Sequence, residues 1–416
     1  MTSKDMVSWE YVGVALAPDK DYDSGGCFSG TAIEHDGKLW LMYTSVSGDG
    51  IQTQSIAYST DGINFVKHPN NPVIGITDVP TGTDVRECRD PSLFRRGDCL
   101  YTMFGTRNQD GLGQVLLYRS KDLVSWEYVG TPISDSDTLG MIYECPNFFE
   151  LDGRDVILLS PQNYPKANNQ HENKHNTIYR VGKLCTDSGK FECYYEDELD
   201  GGFDFYAPQS LAAPDNRRIM LGWMQECGGS VVTSLYGFSG ALTIPRELRV
   251  IDNRLIISPL YELTKYRSNP ISRSNIVVSN DTHISNISGN SYELHINFDM
   301  VSADIAGIKL LDDGTNHIKV YYDKTKRAII IDRSLLVQNS NKDTVRTTNY
   351  IPIDNKLSLH IFVDKYSIEV FVDGGAHVMT ANVFPPKGYG ITPYTIGGTA
   401  TITKLTKWDY PSTIKY

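Results

Sequence analysis

The sequence predicts an all-β protein, a β-propeller over residues 1–260 followed by a C-terminal β-sandwich over residues 270–416. Three observations carry this. A Ser-Lys-Asp element recurs roughly every 60 residues, and a tight turn followed by a strongly apolar strand recurs with it. Beyond about Asn280 both give way to a simple alternation of apolar and polar residues. Repeats of this length, made of short strands and turns, correspond to about four strands per propeller blade. A helical repeat would show a period of about 3.6 residues, which is absent.

The first element is Ser3-Lys4-Asp5-Met6-Val7-Ser8-Trp9-Glu10-Tyr11-Val12-Gly13. It returns almost unchanged as Ser120-Lys121-Asp122-Leu123-Val124-Ser125-Trp126-Glu127-Tyr128-Val129-Gly130, with looser copies at Asp61 and Asp187. The turn-and-strand unit appears at Asp36-Gly37, Gly97-Asp98, Asp152-Gly153 and Asp215-Asn216, each followed by an apolar strand. Because the first Ser-Lys-Asp copy opens the chain, whereas the others close a unit, the sequence is expected to begin partway through a blade. Leu260 to Tyr266 reads as a short helical connector. In the C-terminal part Leu294, Ile296 and Phe298 alternate with polar residues, as do Ile361 with Val363 and Ile368 with Val370 and Val372. That is the pattern of antiparallel strands with one buried face.

Composition narrows the function. The net charge of −11 excludes nucleic acid and anionic membranes as natural partners and suits a neutral small ligand. No apolar leader and no run long enough to span a bilayer appears, so the chain as given is expected to be cytoplasmic. The seven cysteines lack the spacings of a zinc site and read as free, buried thiols. No metal or organic cofactor is implied, and the oligomeric state is not encoded in any recognisable pattern.

Aligning what precedes each turn brings out a constellation. Cys27-Phe28-Ser29-Gly30, Arg89-Asp90-Pro91, Glu144-Cys145-Pro146 and Tyr206-Ala207-Pro208 all lie seven to nine residues before their turns. Innermost strands of a propeller line one channel, so Ser29, Asp90, Glu144 and Tyr206 are expected to converge at its mouth. Two carboxylates among hydroxyl and aromatic groups suit a sugar. Burial would raise the pKa of Glu144 and make it a general acid for a leaving oxygen. Asp90, held ionised by Arg89, would bind vicinal hydroxyls and stabilise positive charge. Alone, Asp90-Pro91 would be an ordinary turn, and Phe28, Tyr206 and Trp223 serve equally well as core.

At these residues the chain resembles glycoside hydrolase family 32, the β-fructosidases. The matching stretches are Cys27 to Gly30, Arg89-Asp90-Pro91, Glu144-Cys145-Pro146, Asp204-Phe205-Tyr206-Ala207-Pro208-Gln209, Gly222-Trp223-Met224 and Gly240 to Leu248. Ile368 to Val372 and Asn382-Val383-Phe384-Pro385 follow in the sandwich. The resemblance implies five blades plus a sandwich, and retaining hydrolysis of terminal β-D-fructofuranosides such as sucrose, its 6-phosphate or fructans. It implies Glu144 as acid/base and Asp90 as transition-state stabiliser, with Arg89, Phe28, Ser29, Asp204, Tyr206 and Trp223 shaping the sugar site.

Two departures stand out. Tyr143 replaces a Trp and is expected to alter the pocket wall. The family's nucleophile motif, Trp-x-Asn-Asp-Pro-Asn-Gly, is missing, in keeping with an incomplete first blade. Asp5 and Asp19 are poor substitutes, and the 416-residue chain is expected to be nearly inactive by itself. Two rival readings remain, a non-catalytic fructan-binding propeller and an inverting five-bladed hydrolase of arabinose polymers.

Overall fold

The computed structural model describes residues 1–134, 140–225, 234, 237–336, 344–383 and 388–411. Phe384, Pro385 and Cys227 lie outside the described residues. Four antiparallel four-stranded sheets follow one another along the chain as propeller blades, preceded by a two-stranded ribbon, Thr2–Ser3 with Trp9–Glu10. The innermost strands of the four full blades are Gly26–His35, Arg89–Arg96, Tyr143–Leu151 and Tyr206–Ala212. Each packs against the next, so their faces form the channel wall.

The recurrent sequence elements have simple physical roles. In the Ser-Lys-Asp copies the aspartate side chain caps the turn before a blade's last strand. Asp5 Oδ1 accepts from the amides of Val7 (3.0 Å) and Ser8 (2.9 Å), and Asp122 Oδ1 from those of Val124 (2.9 Å) and Ser125 (2.7 Å). Asp61 does the same for Ile63 and Asn64. The indole of Trp126 then donates to Leu123 O at 2.9 Å, as that of Trp9 does to Met6 O. Asp5, Asp61 and Asp122 are turn builders, which explains why this element recurs without an active site at each copy. The Asp-Gly pairs are hairpin turns in which both residues take positive φ, at Asp36 (50°) with Gly37 (69°) and at Asp152 (48°) with Gly153 (76°).

The short 3-10 helix Tyr261–Tyr266 makes the connector. The sandwich that follows begins at Ser268, a little ahead of the change in rhythm near Asn280. A seven-stranded sheet containing Tyr292–Asp299 and Lys356–Asp364 faces a five-stranded sheet containing Ile305–Asp312 and Ile318–Asp323. Leu294, Ile296, Phe298, Ile361 and Val370 meet Ile308, Val320, Ile329 and Ile331 in one core. Each such side chain removed from water contributes about 1.5–3 kcal/mol. Lys356–Asp364 and Ser367–Val372 form the hairpin that the alternation of Ile361 to Val372 predicts.

The cysteines depart from expectation. All six described ones are free thiols, but only Cys88 and Cys145 are buried. Cys27 and Cys99 are half-buried, and Cys185 and Cys193 are exposed on the outer strands Ile178–Cys185 and Lys190–Glu198. Strand alternation at a blade rim leaves every second residue in water.

The two parts meet around Arg246, which is fully buried. Its guanidinium donates to Asp200 Oδ2 (2.9 Å), Glu369 Oε2 (2.6 Å) and Thr380 Oγ1 (2.6 Å), and lies between the rings of Phe205 and Phe371. Gly202 comes so close to Thr380 that an added Cβ would lie 2.1 Å from its backbone. Breaking this network on one side leaves two buried carboxylates unpaired, a loss of about 3–5 kcal/mol. Arg246→Met is therefore expected to lower stability to urea by that amount, whereas Arg249→Met, on an exposed pair with Asp152, leaves it nearly unchanged. Urea titration followed by tryptophan fluorescence measures both.

Candidate active site

Every innermost strand carries the same irregularity. Its register with the second strand of its blade slips between Cys27 and Gly30, Arg89 and Ser92, Glu144 and Asn147, and Tyr206 and Gln209. These are β-bulges, and they coincide with the four aligned stretches of the sequence. In three of them the residue before proline adopts positive φ: Asp90 (66°), Cys145 (49°) and Ala207 (48°). Proline has no N–H to give to the ladder, so a bulge is where a strand tolerates it. The turned backbone re-aims the neighbouring side chains into the channel. A left-handed conformation before proline is strained for any residue but glycine, and such strain gathers at functional sites.

The bulges bring together Arg89, Asp90, Glu144 and Tyr206. Arg89 donates through Nη2 to Glu144 Oε1 at 2.7 Å and through Nε at 3.1 Å. Tyr206 OH donates to the other oxygen, Oε2, at 2.6 Å. Asp90 Oδ2 accepts from the amide of Cys145 at 2.9 Å and lies 3.4 Å from its thiol. The Asp90 amide in turn donates to Thr44 Oγ1 at 2.9 Å. Each blade thus holds a group of its neighbour. Where the second strand of one blade passes the inner strand of the next, Gly105 is required: a Cβ there would sit 1.7 Å from Tyr143 O.

The electrostatics reverse two expectations. Burial alone raises the pKa of Glu144, as anticipated, but hydrogen bonds from Tyr206 and Gln162 and the charge of Arg89 outweigh it, so the pKa lies below the ordinary glutamate value. Arg89 spends its guanidinium on Glu144, Glu87 and Gln52. Asp90, only 5% exposed, is consequently pushed above the ordinary aspartate value by burial, against the pull of the Cys145 amide and Arg89. In this arrangement Glu144 holds its proton less tightly than an ordinary glutamate and Asp90 more tightly than an ordinary aspartate.

The remaining predicted residues are placed differently. Phe28 and Ser29 lie at the bulge of strand Gly26–His35, where both are exposed, Phe28 by 47%. Among the described residues no hydrogen bond joins Ser29 to the Arg89–Glu144–Tyr206 set. Trp223 pairs with Tyr206 across the strands and is half-buried beside Gly240. Asp204 is the main departure: its Oδ2 accepts from Arg333 Nη1 (2.9 Å) and the amide of Asn382 (2.8 Å), both in the sandwich. It braces the two parts of the molecule. Tyr143 is fully buried against Gly113 in the core beneath the site, so it is not the surface of a pocket wall.

Sequence reasoning missed the supporting residues. Gln162 bonds Glu144, Gln52 bonds the Cys88 amide, and Asn147 accepts from Ser210 on the next blade. Gln52 and Gln162 lie outside the stretches that repeat, and Asn147, at the end of one bulge, is not matched by an asparagine at the same position of the other blades. Asp5 and Asp19, considered as stand-ins for a nucleophile, are engaged elsewhere. Asp5 caps its turn and accepts from Tyr266, and Asp19 pairs with Lys67 at 2.6 Å.

Comparison with known proteins places this arrangement. The family model described as "Glycosyl hydrolases family 32 N-terminal domain" matches residues 1–259, and "Glycosyl hydrolases family 32 C terminal" matches residues 262–409. The chain is 36% identical over 395 residues to a probable sucrose-6-phosphate hydrolase of Psychromonas ingrahamii, covering 93% of this chain and 69% of that protein. It is 30% identical over 424 residues to a sucrose-6-phosphate hydrolase of Escherichia coli, covering 98% and 85% respectively. The solved sucrose-6-phosphate hydrolase of Lactobacillus gasseri superposes with a TM-score of 0.87 at 26% identity, over 99% of this chain and 83% of that one. A Bombyx mori β-fructofuranosidase variant in complex with sucrose gives 0.79 at 28% identity, over 99% and 84%. With carboxylates, guanidinium and phenol brought together by three successive blades and both halves of the chain matched, the protein belongs to glycoside hydrolase family 32 and is a glycosidase of the β-fructofuranosidase type.

Proposed function

We propose that this protein hydrolyses sucrose 6-phosphate, with Glu144 as acid/base and Asp90 as the group that grips the fructosyl hydroxyls. The observation that carries the chemistry is the set of Glu144, held between Arg89 and Tyr206, beside Asp90, which is fixed by the Cys145 amide. The phosphorylated substrate is supported by relatives named sucrose-6-phosphate hydrolase in several bacteria, which match over nearly the whole chain. The same relatives disfavour the reading of a binding-only protein.

Glu144 serves as an acid only when protonated, and Arg89 opposes that. Arg89 has alternative acceptors in Glu87 and Gln52. A sugar hydroxyl bound to Arg89 draws it from Glu144, and the carboxyl pKa then rises toward a usable value. Asp90 acts in the opposite sense: two fructosyl hydroxyls donating to it favour its ionised form, which then faces the developing oxocarbenium charge. Retention requires a second carboxylate as nucleophile. That role is assigned to none of these 416 residues, so the chain by itself is expected to release fructose only slowly.

Three outcomes test the proposal. On sucrose 6-phosphate and sucrose, fructose release that Glu144→Gln lowers by about 10²–10⁴ supports the acid/base role, and unchanged release removes it. A higher kcat/KM for sucrose 6-phosphate than for sucrose supports the substrate assignment, and the reverse order overturns it. Tyr206→Phe, which removes one hydrogen bond to ionised Glu144, is expected to shift the alkaline limb of the pH–rate profile upward while costing less than Glu144→Gln.

Stability gives an independent check. A carboxylate whose folded pKa is raised binds its proton more tightly folded than unfolded, so it weakens the fold once the pH exceeds its ordinary range. Asp90→Asn is expected to melt at the same or a higher temperature than the parent at pH 7, although catalysis is lost. Glu144 has the opposite sign: its pairing stabilises the fold above the ordinary glutamate range and is lost as the pH falls below it. The stability gap between parent and Glu144→Gln therefore narrows on acidification. Melting curves between pH 3 and 7, on the order of the carboxylate titration range, measure both.

A further inference from the structure

We infer that the sandwich carries a second, structural site for a divalent transition metal such as zinc, built by Glu293, His295 and His360. It lies on strands Tyr292–Asp299 and Lys356–Asp364, on the face of the seven-stranded sheet turned away from the sandwich core, where Phe362 and Phe371 pack against the propeller. The strand register makes the placement. His295 and His360 are directly opposed across the two strands, and Glu293 precedes His295 by two residues on the same face. The imidazole centroids are 3.6 Å apart. Both Nε2 atoms point at one carboxylate oxygen, Glu293 Oε1, from 3.2 Å (His295) and 2.7 Å (His360). One ligand atom from each of the three residues falls within 4.8 Å of the others.

The two carboxylate–imidazole separations are close to those around a shared ion, and the imidazole rings would splay apart to take tetrahedral positions on it. Tetrahedral coordination with bonds of about 2.0 Å has ligand–ligand edges of about 3.3 Å, which the His295 contact meets and the His360 contact reaches by a shift of about half an ångström. Two imidazoles and one carboxylate are a donor set for zinc or nickel rather than for magnesium or calcium, which prefer oxygen. An outer layer already orients the carboxylate. Glu293 Oε2 accepts from Arg267 Nε at 2.7 Å and from Tyr410 OH at 2.9 Å. Arg267 also touches Oε1, a contact the ion would displace while Oε2 keeps the guanidinium. Trp408 fixes both neighbours, with Arg267 4.1 Å over its ring and His295 against its edge.

The Glu293 side chain is 1% exposed and that of His295 41%, so the rigid ligand lies inside and the open coordination position faces water. Arg267 follows the connector helix directly and Tyr410 OH also donates to Leu263 O within it. An ion here would tie the connector to the sheet. The spacing of the cysteines and histidines in the sequence gives no zinc motif because the two histidines come from separate strands.

The test uses the intact chain stripped with a chelator and titrated with zinc chloride alone, with magnesium chloride as control. Calorimetry is expected to show one zinc per chain, and a hundredfold excess over Kd to raise the melting temperature by about 3 °C. Both effects should vanish in His295→Ala, whose half-exposed side chain the fold does not need, and in His360→Ala. Magnesium should give neither. Zinc binding that is unchanged in His295→Ala places the ion at other histidines and overturns the inference, as does the absence of binding by the parent.

Discussion

The bulge repeated on each innermost strand is the constraint on which the site depends. A regular strand alternates its side chains between the two faces of a sheet and keeps its polar backbone in the ladder. Such a strand cannot aim both a carboxylate and its neighbour at one axis. The slips at Arg89/Ser92, Glu144/Asn147 and Tyr206/Gln209 break the alternation once per blade, at the same level of the channel. Proline follows because it costs nothing where no ladder hydrogen bond exists. The price is positive φ at Asp90, Cys145 and Ala207. Packing between blades sustains that strain, through Thr44 on the Asp90 amide and Tyr143 O against Gly105.

The electrostatics of the site follow from the same geometry. A guanidinium placed between Glu87, Gln52 and Glu144 can serve only some of its partners fully, and here it serves Glu144 at the expense of Asp90. The two carboxyls are thereby driven in opposite directions from their ordinary values. In the proposed mechanism the substrate redistributes these hydrogen bonds.

The sandwich is more than a passive appendage. Asp204 and Glu369 lie in two of the stretches through which the sequence resembles its family, yet both are spent on the junction, Asp204 with Arg333 and Glu369 with Arg246. Phe205, next to Asp204, lies against Arg246 and only then does the chain reach Tyr206. Anything that loosens the junction moves the strand that carries the Glu144 partner. Stability and site geometry are therefore coupled through three or four residues.

Propeller and sandwich were legible in the sequence because their signals are local: Asp-Gly turns that need positive φ, aspartates that cap turns, and alternation with one buried face. The nearness of Asp90, Glu144 and Tyr206 follows from equivalent positions in a cyclic repeat, whereas Ser29, expected to converge with them, is exposed and makes no hydrogen bond to the Arg89–Glu144–Tyr206 set. What the sequence by itself left undetermined was everything that depends on contacts between distant segments. Burial predicted a raised pKa for Glu144, but only the tertiary structure brings Tyr206, Gln162 and Arg89 to its two oxygens and reverses the sign. Resemblance put Asp204 at the sugar, and the fold puts it against Arg333. His295 and His360 carry no motif in the chain and become neighbours only through strand pairing. A hydrogen-bond partner supplied by another blade leaves no periodic trace, so its effect on a pKa or a ligand set is decided in three dimensions.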